Sequence, residues 1–185
     1  MNHCGTQTLE SKRLILRKFV HEDARAMYNN WANDGEVCKF LTWQPHENIQ
    51  VSQSVIDEWI KNYERNDFYQ WAIVLKENGD QPIGGISVVS MNENVKMAHF
   101  GYCLGRRWWN KGIMTEALQA VMNFLFDVVG FNRIESRHDP NNPASGKVMQ
   151  HCGMKYEGTL RSSDWSNQGI CDACYYALLK GERKN

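Results

Sequence analysis

The stretch G-R-R-W-W-N-K-G-I-M-T-E-A-L, residues 105–118, sets Arg107, Asn110, Lys111 and Gly112 directly before a run with helical periodicity. The first turn of a helix leaves backbone N–H groups unpaired and carries a partial positive charge. Gly112 lets the backbone close on a ligand without a Cβ in the way, and Arg107 and Lys111 add full charges. Such a group binds anions, and its extent suits a pyrophosphate. The same residues are also consistent with a solvated basic turn whose tryptophans, Trp108 and Trp109, pack on a sheet.

The elements around this loop follow from periodicity and turn residues. Residues 13–19 alternate as an opening strand, and residues 21–33 and 48–64 read as helices. Residues 68–75 and 82–90 form a hairpin across Asn78-Gly79-Asp80. After a turn at residues 91–94, residues 95–104 add a third strand with Gly101 inside it, which signals a bulge or a close approach. Residues 112–129 are the clearest helix, ended by Gly130. A strand at 133–138, a helix at 142–152 and strands at 154–164 and 171–179 complete the chain, with residues 161–169 expected as a long hairpin loop. The strand–helix–strand crossover from 95 to 138 makes those two strands parallel. The fold class is therefore α/β (α+β): one domain over residues 1–185, with a mixed, mostly antiparallel sheet and helices on both faces.

The chain has 185 residues and a formal net charge of zero. That length suits one core. The charge balance argues against nucleic acid as a partner, so anion binding is expected to be local. Neither a membrane-spanning run nor a secretory signal is visible, so a cytoplasmic protein with no membrane partner is expected. The six cysteines are scattered, and reduced thiols are expected. Cys171-x-x-Cys174 lacks a second ligand pair, and on a strand its members face opposite sides, so no metal site is expected.

The order of a strand ending G-Y-C-L, then R-x-x-N-x-G, then a T-E-A-L helix resembles the pyrophosphate loop of the GNAT superfamily of N-acetyltransferases, written Q/R-x-x-G-x-G/A. The branch it is similar to is the RimJ/RimL type. L-E-S-K-R-L-I-L-R-K-F, E-D-A-R-A-M-Y, G-F-N-R-I-E and N-N-P-A-S-G-K-V-M-Q-H-C-G-M-K-Y-E-G-T-L-R extend the likeness along nearly the whole chain. Asn110 departs from the pattern's first Gly, but Asn is the residue that best tolerates a left-handed backbone after Gly.

The resemblance implies a single-domain acetyl-CoA-dependent N-acetyltransferase with a splayed parallel strand pair at its centre. It implies that Cys103 and Leu104 offer backbone groups to the pantetheine and that Arg107, Asn110, Lys111, Gly112, Met114 and Thr115 hold the pyrophosphate. By the same likeness, Asn142 holds the pantetheine arm and Ser145 serves the leaving thiolate. Both residue types also favour helix starts, so capping is their alternative role. His99 stands where that branch often has Glu. It has a near-neutral pKa and is a candidate base or a structural strand histidine. Asp172 is a substrate-side alternative or a structural acid. Trp43, in the loop-like T-W-Q-P, is the best acceptor-pocket candidate among aromatics that otherwise read as core. The acceptor is an amine, on a peptide N-terminus or a small molecule, and a homodimer is compatible with the resemblance. The rival functions are a CoA-binding module without turnover and a peptide-interaction domain without CoA binding.

Overall fold

The computed structural model describes residues 1–183. One sheet carries eight strands in the order β1-β2-β3-β4-β5-β6-β8-β7. These are β1 (Leu9–Glu10), β2 (Leu14–Arg17), β3 (Gln70–Leu75), β4 (Pro82–Asn92), β5 (Met97–Leu104), β6 (Arg133–His138), β7 (Lys155–Ser166) and β8 (Gly169–Leu179). β5 and β6 are parallel, as the crossover rule requires, and every other neighbouring pair is antiparallel.

All six residues of β3 are buried, because helices cover both faces of the sheet. On one face α4 (Ile113–Phe124) and α5 (Pro143–His151) pack with Leu14, Leu16, Trp71, Ile73, Ile86 and Phe100. On the other, α1 (Ala24–Met27), α2 (Gly35–Cys38) and α3 (Ile49–Asn62) cover Phe19 and Ala72. Side chains cap two of these helices: Asp34 accepts the Glu36 N–H and Asn48 accepts the Val51 N–H.

Three expectations are corrected. Residues 21–33 are not one helix but a 3-10 turn (His21–Asp23), α1 and a π-turn (Tyr28–Ala32). Asp23 accepts the Val20 N–H at 2.9 Å and is clasped by Arg17 at 2.7 and 2.9 Å, which holds the opening turn tight. The helix expected to run to residue 129 leaves α geometry at Phe124 and ends in a π-turn (Leu125–Val129). Its apolar period continues through the π-turn, and Gly130 (φ +90°) and Phe131 both donate to the Leu125 carbonyl. Residues 161–169 are not a long loop. β7 runs to Ser166 and β8 starts at Gly169, with a bulge between Leu160 and Asp164. Within the bulge Ser162 takes φ +49°, and Asp172 Oδ1 accepts its N–H at 2.8 Å.

All six cysteines are free thiols. Among the described residues no helix is long and apolar enough to cross a membrane.

Candidate active site

The parallel ladder between β5 and β6 lasts only from Met97↔Arg133 to His99↔Glu135. Beyond it the strands diverge, and Ser136 Oγ bridges to the Phe100 carbonyl at 3.0 Å. That bond shows that the backbone polar groups of Phe100 point toward β6. Gly105 N–H instead donates to Ile83 of β4 at 2.9 Å. Strand alternation therefore turns the backbone of Tyr102 and Leu104 into the gap and that of Cys103 toward β4. At Gly101 the chain passes close to the β4 bulge, where a Cβ would lie 2.9 Å from Val89 Cγ1 and would make that exposed side chain turn aside.

A cleft of about 680 Å³ opens along this gap. Its walls are the end of β5, residues 108–112, the first turn of α4, one side of α5 along its length and residues around α2. Cys103, Leu104, Asn110, Lys111, Gly112, Met114, Thr115, Asn142 and Ser145 all line it. Arg107 does not. It is exposed, with its guanidinium 5.3 Å over the Trp108 ring.

Asn110 (φ +59°) and Gly112 (φ +67°) both adopt the left-handed backbone, which Asn tolerates best after Gly. Left-handed residues before a helix start can turn backbone N–H groups into a concavity of the kind that holds anions. Arg13 and Glu116 hold it in place. Glu116, in the first turn of α4, accepts from Ser11 Oγ (2.7 Å), Arg13 N (2.8 Å) and Arg13 Nε (2.6 Å), while Arg13 Nη1 donates to the Lys111 carbonyl (2.9 Å). Burial pushes the Glu116 carboxyl up, but these bonds outweigh it and the net shift is downward. The two tryptophans divide their work. Trp108 is buried in the core, and Trp109 lies half out, donating its indole N–H to the Leu104 carbonyl at 2.7 Å.

At the other side of the gap Asn142 occupies the N-cap of α5, but its side chain makes no capping bond, so its amide faces the cleft uncommitted to the helix. Ser145 Oγ lies 3.0 Å from the Tyr102 hydroxyl, which also reaches the Ser145 carbonyl at 3.0 Å. Burial, opposed by the Ser145 bond, raises the Tyr102 pKa, so the phenol stays protonated and can donate.

His99 lies on the opposite sheet face, buried. Its Nδ1 is 3.3 Å from Glu135 Oε1 and its Nε2 is 3.3 Å from Arg137 Nη1. Arg137 is in turn forked onto Asp164. Burial, reinforced by Arg137 and opposed by Glu135, lowers the His99 pKa, so the ring is neutral, with Nδ1–H donated to Glu135 and Nε2 accepting from Arg137. Both nitrogens are thus occupied. Asp172 bonds the β7 bulge, as described, and Trp43 packs against the α1–α3 core beside His46, with ring centroids 5.3 Å apart. Neither lines the cleft.

The Acetyltransferase (GNAT) domain family matches residues 13–155. The uncharacterized N-acetyltransferase p20 of Bacillus licheniformis is 30% identical over 95% of this chain and 98% of its own. The chain is a GNAT-family N-acetyltransferase. The [ribosomal protein uS5]-alanine N-acetyltransferase of Escherichia coli (strain K12) is 25% identical, with 81% of this chain and 79% of its own covered. The structure of RimL, the ribosomal L7/L12 alpha-N-protein acetyltransferase in complex with coenzyme A, superposes with TM-score 0.83 at 21% identity, over 94% of this chain and 98% of that one. In this acetyltransferase the residues that sequence reasoning missed are Tyr102, Arg13 and Glu116. Tyr102 was visible only as part of G-Y-C-L, and nothing in the sequence tied it to Ser145, 43 positions on.

Proposed function

We propose that the chain moves an acetyl group from acetyl-CoA to a primary amine by direct attack within a ternary complex. The observation that carries this is the cleft. It joins a left-handed turn at a helix start to the stretch of β5 that has left its ladder with β6, and ends at the Ser145–Tyr102 hydroxyl pair. The geometry fits the cosubstrate. Asn110, Lys111 and Gly112 would hold its diphosphate, the backbones of Tyr102 and Leu104 its pantetheine, and Asn142 its amide arm. Acetyl-CoA supplies an activated acyl group whose departure leaves a thiolate.

The residues then divide the remaining work. The Tyr102 N–H points into the gap, where one donor to developing oxygen charge is worth about 3 kcal/mol. As the new C–N bond forms and the C–S bond breaks, the attacking nitrogen gives its proton up to solvent, and the Ser145 hydroxyl, oriented by Tyr102, donates a hydrogen bond to the departing thiolate. His99 is neutral but occupied at both nitrogens, so it positions Arg137. An α-amine, with a pKa of ~8, has a useful neutral fraction at pH 7 without a dedicated base. That favours a peptide N-terminus over a lysine or polyamine, in keeping with the acceptors that the names of the ribosomal-protein relatives state.

The test is turnover of peptides beginning with Ala, Ser or Met, and of spermidine, followed by mass spectrometry with acetyl-CoA as donor. Acetylated peptide is expected, and Ser145→Ala lowers kcat far more than it weakens acetyl-CoA binding. Tight acetyl-CoA binding without transfer to any amine contradicts the proposal.

A further inference from the structure

The tip of the β7–β8 hairpin is fastened to a segment 123–129 positions earlier in the chain by one side chain and its own backbone. Asn167 N–H donates to the Leu41 carbonyl at 3.0 Å. Its Nδ2 donates to the carbonyls of Cys38 (2.9 Å) and Trp43 (2.7 Å), and its Oδ1 accepts from Gln44 Nε2 (2.7 Å). Residues 41–48 have neither helix nor strand, so no regular ladder fixes their backbone. Phe40 and Leu41, inside the fastened stretch, line the cleft wall facing α5.

We propose that Asn167 is a specificity-determining positioning residue, a latch that sets the acceptor-side wall of the cleft. The inference rests on the acetyl-transfer reading above. The left-handed turn at Asn110–Gly112 and the start of α5 carry the features that suit a phosphate, whereas Phe40 and Leu41 add apolar side chains to the cleft, with Glu36 and Lys39 beside them. On this reading the amine approaches past this wall, and the wall's position selects acceptors by shape. The chemistry matches an Asn and not merely its volume. The Cys38 carbonyl, which also accepts the Leu41 N–H, and the Trp43 carbonyl each take a donor here, the Gln44 amide takes an acceptor, and a carboxamide is the small side chain that supplies both.

The experiment compares Asn167→Ala and Asn167→Asp with Gln168→Ala, a change on the same turn. Gln44→Ala removes only one of the bonds and serves as a milder variant should Asn167→Ala unfold. For each, KM and kcat are measured for peptides beginning with Ala, Ser or Met and for spermidine, together with the acetyl-CoA Kd and hydrogen exchange of residues 38–44. Asn167→Ala is expected to raise the KM of the best acceptor about ten-fold, narrow the preference across the panel and speed exchange in residues 38–44, with the acetyl-CoA Kd unchanged within about two-fold. Asn167→Asp, which points a carboxylate at two carbonyl oxygens, should be no better than Ala, and Gln168→Ala should behave as wild type. Wild-type acceptor KM and ranking in Asn167→Ala, or an acetyl-CoA Kd that rises as far as the acceptor KM, overturns the proposal. Failure of the wild type to acetylate any amine sinks the transfer reading instead. In that case unchanged exchange of residues 38–44 in Asn167→Ala also refutes the latch.

Discussion

Gly112→Ala isolates backbone conformation from bulk in the anion cradle. Gly112 sits at φ +67°, ψ 11°. A Cβ there would meet nothing closer than Arg13 Nη2 at 3.7 Å. Space is open, so the substitution acts through the left-handed backbone, which costs an L-residue about 1–2 kcal/mol. If the free loop relaxes to escape that strain, binding must restore it. At about 1.4 kcal/mol per factor of ten, the acetyl-CoA Kd then rises about five- to thirty-fold. If the loop does not relax, the same strain appears as a melting temperature lower by roughly 2–8 °C. Calorimetric titration with acetyl-CoA and with acetyl-pantetheine, which lacks the diphosphate, separates the cradle from the rest of the cleft. Acetyl-pantetheine affinity should not change. Unchanged acetyl-CoA affinity together with an unchanged melting temperature refutes the argument, and so does an equal loss for the two ligands.

Tyr102→Phe leaves Ser145 without its partner hydroxyl, so kcat should fall roughly ten-fold or more with the acetyl-CoA Kd little changed; equal kcat removes Tyr102 from the chemistry. Arg13→Ala frees the Lys111 carbonyl and strips Glu116 of its guanidinium donor while leaving the backbone N–H bond in place, and should weaken acetyl-CoA binding severalfold in titration although Arg13 lies outside the cleft. Arg13→Lys, which keeps the charge, should give a smaller effect. The His99 pKa is lowered from 6.5 by burial, so the native state binds fewer protons than the unfolded chain. Stability from this group is complete above about pH 6.5 and is lost as pH falls through the interval down to the depressed native value. Melting temperatures between pH 7.5 and 5 should show this slope, and His99→Gln should flatten it; an identical slope in the variant removes His99 as its source.

The turn before α4 was legible because it is local. A glycine and an asparagine directly before an apolar helix signal a left-handed turn without any distant partner, and Asn110 did adopt the left-handed backbone that its type tolerates. The parallel pair was legible for a similar reason, since a strand–helix–strand crossover has one favoured outcome. The β7–β8 hairpin was not. R-S-S-D-W-S-N-Q-G has the composition of a loop, and what keeps it in the sheet is the bond from Ser162 to Asp172 and the anchoring of Asn167 on residues 38–44. Arg107, whose place in the motif suggested a phosphate ligand, is exposed with its guanidinium over the Trp108 ring and does not line the cleft. The π-turns after Met27 and Phe124 were hidden because an apolar period barely changes when a helix widens by one residue for a single turn.

The measurement that bears most directly on the central claim is thermal unfolding of the protein with and without saturating acetyl-CoA. A ligand bound only by the native state at 100 times its Kd adds about 2.7 kcal/mol, enough to raise the melting temperature by several degrees. The cleft between β5 and β6 predicts that rise, together with its reduction in Gly112→Asp, which sets a carboxylate in the cradle. A folded protein whose melting curve does not move with acetyl-CoA would contradict the assignment of the cleft.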